Sequence, residues 1–357
     1  MNTFPSLRLV LAASLSAFGL RLVAAPPPPA PAEGVLRIAT WNAENLFDAE
    51  DDPANDGDND YTPGSWRRWT DERFQAKSLH LATAIAALKP DVLFLEEVEN
   101  RAVLTNLVRI LAELPEPHPM PYIAHQDSDS TRGIDVAILS RHPLEGIELH
   151  MPVPHMRGIL EATASIDGAK ATFFACHWKS WVGAAEENIA IRQAEALATR
   201  ELARKKLEAD PNAVFFIAGD FNDDADGASL KMSLKALLDR NALVPESDAD
   251  LRLYHLVGEI PVEERGSFYY ARRKVWNTFD GIVIPPAMLR DATEKGPAWR
   301  LSSATPHVGV YKPDAGTDDD GRPKPFRRVR KKDGTDEYME GCSDHFPLWA
   351  DFVRVEK

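Results

Sequence analysis

The chain has 357 residues, 44% of them hydrophobic, and a formal charge of −14. That apolar share suffices for one large domain or two ordinary ones and excludes disorder throughout. The acidic balance argues against a protein that grips nucleic acid with its whole surface, since such binding draws on a broad basic face.

At the N-terminus, Arg8 precedes an apolar run from Leu9 to Leu20 that is too short to span a bilayer. With the small-residue stretch ending at Ala32, it predicts a secretory signal peptide and Pro-rich linker over residues 1–32, hence a periplasmic or secreted protein. Cleavage after Ala32 and cleavage after an alanine nearer Ala24 both fit. Neither a lipid anchor nor stable membrane insertion is expected, because no cysteine follows the apolar run and no later segment is long and apolar enough. No protein partner is indicated.

The mature domain is expected over residues 35–357. VLRIATW (35–41) reads as a buried strand. DAEDDPANDGDNDYTPGS (48–65) follows as a polar loop. Its Asp51 to Asp60 portion lacks the spacing and terminal glutamate of an EF-hand, so a flexible acidic loop is preferred to a calcium site. A helix then runs from a Thr70 cap to a stop at Pro90, with Phe74, Leu81, Ile85 and Leu88 on one face. DVLFLEEV is the second strand, followed by a helix with Leu104, Leu107, Val108 and Leu111 at helical spacing. Strands recur at IDVAILS, ILEATASI and KATFFACHW. A long helix spans Ala184 to Glu208, and further strands lie at AVFFIAGDF, FDGIVI and FPLWADFV. A mixed α/β domain with largely buried sheets follows. The stretch from Thr305 to Tyr338 reads as a surface insertion.

Five strands end in polar residues that chemistry uses: Asn42 and Glu44, Glu96 and Glu97, His177, Asp220 and Asn222, and Asp344 and His345. Singly, each has an ordinary reading as a turn residue, a helix-start carboxylate or a core histidine. Together they form an oxygen-rich set without thiolates, which suits Mg²⁺ or Mn²⁺, with Ca²⁺ a third candidate, better than zinc. In GDFNDDADG, Asp223, Asp224 and Asp226 are assigned to the solvated part of the loop. Cys176 and Cys342 each adjoin a site motif, which leaves room for a disulfide as the alternative; they are read as two buried free thiols.

NLFDAEDDP, DVLFLEEVENRAVL, RGIDVAILSR, GDFNDD, WNTFDGIVIPPAML and GCSDHFPL resemble, in order and over nearly the whole mature chain, the bacterial secreted branch of the endonuclease/exonuclease/phosphatase superfamily. That superfamily includes DNase I, exonuclease III-like repair nucleases, neutral sphingomyelinases and inositol polyphosphate 5-phosphatases. The resemblance implies a four-layer α/β/β/α sandwich with the DNase I-like fold. It implies Glu97 as the main metal ligand, with Glu44 as a second acidic ligand and Asp344 near the metal. It implies Asn42 on phosphate and the metal shell, His177 as a site histidine, Asp220 to orient or deprotonate water, and Asn222 to hold a phosphate oxygen. His345 falls on the phosphate, oriented by Asp280. Glu96 departs from the glutamine frequent at that position and is expected to make the local field more negative.

The chemistry agrees with these roles. Phosphodiester hydrolysis needs charge stabilised on nonbridging oxygens and water aligned in line with the leaving oxygen. His177 and His345 are both candidates to be charged near the phosphate. The expected activity is that of a metal-dependent phosphodiesterase on a phosphodiester substrate such as DNA or RNA, a nuclease first. A phosphatase or phospholipid phosphodiesterase on a smaller ester is the alternative, and a non-catalytic binding protein on the same scaffold is a third reading. Arg67 and Arg68 beside Trp66 and Trp69, Arg272 to Lys274, and RPKPFRRVRKKDG (322–334) either ring the site with cations or form solvated faces.

Overall fold

The apolar runs pair into two seven-stranded sheets in a computed structural model that describes residues 26–53, 55–244, 251–289 and 296–355. The apolar run read as a signal peptide falls in residues 1–25, outside the described residues. The first sheet is built on β1 (Val35–Leu46), β2 (Val92–Val98), β3 (Tyr122–His125) and β4 (Asp135–Ser140), with β18 (Leu348–Arg354) from the far end of the chain beside β1 and β14 (Trp299–Leu301) beyond it. The second has the order β5 (Glu145–His150), β6 (Ile159–Ile166), β7 (Ala169–His177), β8 (Val214–Asp220), β13 (Asp280–Ile284), β10 (Leu253–His255), β9 (Ala236–Leu237).

Alternation within each strand sorts side chains between layers, because successive residues of a strand point to opposite faces. Ile38, Phe94, Phe173 and Phe216 fill the space between the two sheets. Ala39, Trp41, Leu93 and Leu95 face the other way, onto helices α1 (Asp71–Leu88) and α2 (Arg101–Glu113). Phe174, Phe215 and Ile217 likewise meet helix α3 (Ala185–Ala209) through Ala196 and Ala203. The result is the expected α/β/β/α sandwich. The α1 boundaries follow their local signals: the Thr70 side chain accepts from Arg73 N, and Lys89 takes the left-handed conformation just before Pro90.

Cys176 lies in the layer beneath α3, whereas Cys342 lies in the layer beneath α1 and α2. Both are buried free thiols, as expected, and because they belong to different layers the disulfide alternative does not arise. The stretch read as a surface insertion is more integrated than its composition suggests. It contributes β15 (Val308–Val310), paired with β18, and the hairpin β16–β17 (Phe326–Arg330 and Asp336–Glu340). Phe326 and Arg328 of that hairpin are buried. A second hairpin, β11–β12 (Phe268–Tyr270 and Val275–Asn277), precedes β13.

Candidate active site

Strand register assembles the site before any side chain is considered. Asp220 ends β8, and its direct partners are His177 on β7 and Asp280 on β13. In the first sheet Asn42 on β1 is paired with Glu96 on β2. One glycine is needed here: Gly219 sits at φ 145°, and a Cβ there would lie 1.8 Å from the Cys176 carbonyl oxygen, so only glycine lets β8 approach β7 one residue before Asp220.

Just past the Asn42–Glu96 pair both strands break regularity. The register shifts between Asn42 and Leu46, and against β4 between Glu96 and Val98. Glu44, Asn45 and Glu97 adopt φ values of 52°, 56° and 60°, a region that non-glycine residues occupy rarely and that costs on the order of 1 kcal/mol or more per residue. These bulges redirect the side chains of two glutamates that a regular strand would have sent elsewhere. One Glu97 oxygen accepts from Asn45 N at 3.0 Å, and the other lies 3.6 Å from Arg132 Nη1 and 4.0 Å from His177 Nε2.

Asp220 is the focus of the site. Its Oδ1 accepts from Asn222 N at 2.8 Å and its Oδ2 from Asn42 Nδ2 at 3.0 Å, with His177 Nε2 at 3.7 Å and His345 Nε2 at 3.9 Å from the same oxygen. Burial, opposed by the charge of His345 and reinforced by Asp280, pushes its carboxyl up to about 6. Asp280 Oδ2 meets His345 Nδ1 at 2.8 Å. Burial alone would lower the His345 pKa, yet Asp280, Asp220 and Asp344 together hold it well above the ordinary histidine range. The GCSDHFP loop is fixed against β1, where Ser343 Oγ donates to the Asn42 carbonyl at 2.6 Å and Trp41 Nε1 donates to the His345 carbonyl at 2.9 Å.

Three expectations change. His177 is not a candidate for positive charge: burial, then Arg157, Arg132 and His345, depress it well below the ordinary value, so it is a neutral imidazole. Glu96 does not make the field more negative. Its side chain is fully buried, Oε1 accepts from Thr40 Oγ1 at 2.9 Å, and burial and Asp280 raise its pKa well above the usual carboxylate range. Burial thus favours its protonated form, an isostere of glutamine. Of the acids assigned to a solvated loop, only Asp226 is exposed. Asp223 is buried and accepts from Ser229 N, while Asp224 accepts from Thr278 N and Asn277 Nδ2. Asn222, at φ 49°, donates one amide hydrogen to the Trp178 carbonyl at 3.0 Å, which orients the amide.

The carboxylates read as metal ligands are arranged around cations. Arg327 Nη1 lies 3.2 Å from Glu44 Oε1 and 3.3 Å from Asp344 Oδ2. Lys77, fully buried on α1, donates to the Glu44 carbonyl oxygen, and Glu44 Oε2 accepts from Phe326 N at 2.8 Å. Burial and the neighbouring Asp344 still push the Glu44 carboxyl up to about 8, in spite of Lys77 and Arg327. Oxygens of Glu44, Glu97 and Asp344 do not converge within 4.8 Å of one another, whereas among the described residues atoms of Asp220, Asp280 and His345 do. The donor set is nonetheless all oxygen, and burial with Asp344 keeps Glu44 raised in spite of Lys77 and Arg327, which fits a hard divalent cation on Glu97 with Glu44 and Asp344 nearby.

Sequence reasoning did not single out Lys77, Arg132 or Thr40. Lys77 carried a signal: it occupies the apolar stripe of α1 between Phe74 and Leu81, where an amphipathic helix has no reason to place an amine. In Asp51 to Asp60, Asp58 is buried and its Oδ2 accepts from Asp52 N at 2.7 Å, so that carboxylate serves the loop backbone.

Two facing sheets with a histidine–carboxylate cluster at their ends, beside a bulged glutamate, define a phosphoester-hydrolase fold. Residues 37–356 match the Endonuclease/Exonuclease/phosphatase family, and the chain belongs to that family, in the DNase I-like superfamily. No curated protein matches the sequence. Among solved structures, SmcL is 16% identical, with a TM-score of 0.53 over 90% of this chain and 99% of its own. The endonuclease/exonuclease/phosphatase from Beutenbergia cavernae is 15% identical, with a TM-score of 0.53 over 90% of this chain and 72% of its own. TDP2 from C. elegans is 15% identical, with a TM-score of 0.51 over 89% of this chain and 75% of its own. At these identities the likeness concerns the fold.

Proposed function

We propose that the protein is a divalent-metal-dependent phosphodiesterase, secreted or periplasmic, acting on nucleic acid. The observation that carries the reading is the buried relay in which His345 is held by Asp280 at 2.8 Å and faces Asp220 across 3.9 Å. Asp280 and Asp220 offset the cost of burying a charged imidazole, and its Nε2–H is the donor from which a phosphate oxygen, the anion this family handles, would accept.

Asp220, ionised above its pKa of about 6, accepts a proton from the attacking water, and Asn42 and Asn222 N fix the direction of its lone pairs. His345 donates Nε2–H to a nonbridging oxygen, with Asp280 fixing the ring through Nδ1. Neutral His177 and the second amide hydrogen of Asn222 add donors that need no counter-charge. Glu97, with Glu44 and Asp344 nearby, is the residue that would hold the divalent ion; when bound, the ion neutralises phosphate charge and polarises the phosphorus–oxygen bonds. Arg8 and the apolar run before Ala32 support export. A non-catalytic role has no use for this many assembled groups.

A phospholipid substrate is the second reading, favoured by the β11–β12 hairpin, where Tyr270, Val275 and Trp276 are exposed beside Arg272 to Lys274. The test is a panel of single-stranded DNA, supercoiled DNA, RNA, a small chromogenic phosphodiester, an aryl phosphomonoester and sphingomyelin, each with Mg²⁺, Mn²⁺, Ca²⁺ or chelator. The proposal expects metal-dependent cleavage of a nucleic acid and of the small diester. Turnover of sphingomyelin alone supports the second reading, and hydrolysis of none of the panel overturns both.

A further inference from the structure

Beside Glu44 the site opens into a cavity of about 510 Å³, lined by Glu44, Tyr61, Trp66, Arg67, Arg327 and Arg330 among others. One wall is the loop before α1, the other is strand β16. The loop wall is aromatic. Tyr61 stacks on Phe47 with centroids 4.0 Å apart, and the Arg67 guanidinium lies 4.6 Å over Tyr61 and 4.5 Å over Trp66. Trp66 is 49% exposed, an unusual exposure for the largest side chain.

The two walls are already tied together. Buried Arg328 donates to the Trp66 carbonyl and pairs with Asp336 across the hairpin. Beneath it, Arg73 of α1 packs against Tyr338 at 4.5 Å, Phe326 at 5.2 Å and Trp69 at 5.5 Å. A cavity held in shape this way needs little ordering when a ligand arrives.

Its chemistry selects the ligand. Arg67, Arg327, Arg328 and Arg330 line the cavity together with Glu44. Arg328 is taken up by Asp336, Arg327 is shared between Glu44 and Asp344, and Arg67 lies 3.9 Å from Asp60, so Arg330 and the remaining donors of Arg327 and Arg67 are the ones suited to phosphate. An exposed indole backed by a guanidinium adds a flat face, which suits a heteroaromatic base. A phosphorylated polyol has no ring face to place there, and an acyl chain gains nothing from arginines. Arg327 also bridges Glu44 and Asp344, so the inner end of the cavity meets the carboxylates of the candidate metal site.

We infer that this cavity is a subsite for one nucleotide of a single strand, adjoining the scissile phosphate, with its base on Trp66 and its phosphate on Arg327 and Arg330. Its place in the reaction rests on the phosphodiesterase reading; the binding itself does not. The experiment is anisotropy titration of the full chain, in chelator, with a short single-stranded oligonucleotide and with an abasic sugar–phosphate oligomer of the same length. Proteins compared are wild type, Trp66→Ala, Trp66→Phe and Arg330→Ala, each first checked by thermal melting. Trp66→Ala should weaken the oligonucleotide about tenfold, the scale of one stacked base, with Trp66→Phe restoring most of it and the abasic oligomer changing less than about twofold. Arg330→Ala should weaken both ligands and lower the salt slope by about one.

Equal oligonucleotide affinity in wild type and Trp66→Ala overturns the inference. So does binding only to phosphatidylcholine–sphingomyelin vesicles in a parallel sedimentation assay. If the small diester is hydrolysed but the oligonucleotide ignores Trp66 and Arg330, only this inference falls. If the oligonucleotide binds as expected and nothing is hydrolysed, the subsite stands and the phosphodiesterase reading falls.

Discussion

Replacing Glu96 by glutamine exchanges a buried acid for its uncharged isostere, and its effect on stability follows from one proton. Glu96 is fully buried, Oε1 accepts from Thr40, and Oε2 has no partner. The charged groups facing it are Asp280, Asp220 and His345. Burial first, then Asp280, holds its pKa well above the ordinary glutamate value. Above that ordinary value the unfolded chain has released the proton while the folded protein keeps it. The folded state then binds more protons, so unfolding free energy falls as pH rises, by about 1.4 kcal/mol per pH unit, until the folded-state pKa is reached. Glutamine keeps the acceptor for Thr40 and carries no such proton. The stability of Glu96→Gln relative to wild type should therefore climb with that slope from about pH 5 upward. Urea titrations of both proteins at stepped pH read the difference directly. A difference that stays constant with pH would mean that Glu96 is ionised in the folded protein, and the account of the position would be wrong.

Other expectations concern the relay and its surroundings. Asp220→Asn and His345→Ala should each lower the turnover number roughly a hundredfold, the scale of losing acid–base help or a charge-stabilising donor. The double variant should fall well short of the product of the two losses, because both groups serve one transition state; near wild-type turnover by either folded single variant would remove that residue from the mechanism. Because burial pushes Asp220 up to about 6 and the base must be ionised, kcat/KM should rise with pH through about 6, and a profile flat across that range would exclude Asp220 as the base. Lys77→Met leaves the Glu44, Asp344 and Glu97 carboxylates without their buried cation. It should destabilise the apo protein by about 3 kcal/mol, measured by urea unfolding in chelator, and a neutral effect would mean that Lys77 is uncharged there.

The mixed α/β character was legible because the central strands are long apolar runs that end in polar residues, whereas the four-layer sandwich came with the family resemblance. The short strands β9, β10, β14 and β15 were not legible, since two or three residues at a sheet margin bury too little to leave a pattern. Asn42, His177, Asp220 and His345 were legible as polar residues at or just after apolar runs, and Asp280 through the family resemblance; of these, strand register sets His177, Asp220 and Asp280 side by side. The charge states were not legible. Glu96 and His177 titrate according to burial from every side, which depends on both sheets being in place. Nor was the reach of Arg327 to Glu44 and Asp344 legible, because it depends on where a hairpin folds back. Arg327 had been seen as one member of a basic run, and only the β16–β17 geometry separates it from Lys331, which pairs instead with Glu337 at 3.2 Å.

The central claim is that a divalent cation on Glu97 and the Asp220–His345 pair act on one phosphodiester. The most direct measurement is hydrolysis of the small chromogenic diester by wild type and Glu97→Gln across a titration of Mg²⁺ or Mn²⁺ after chelation, with metal affinity of both proteins measured by calorimetry. Chelation should abolish turnover, Mg²⁺ or Mn²⁺ should restore it, and Glu97→Gln should both bind the metal more weakly and need more of it for a lower maximal rate. Full turnover in excess chelator, or a Glu97→Gln protein with wild-type metal affinity and rate, would contradict it.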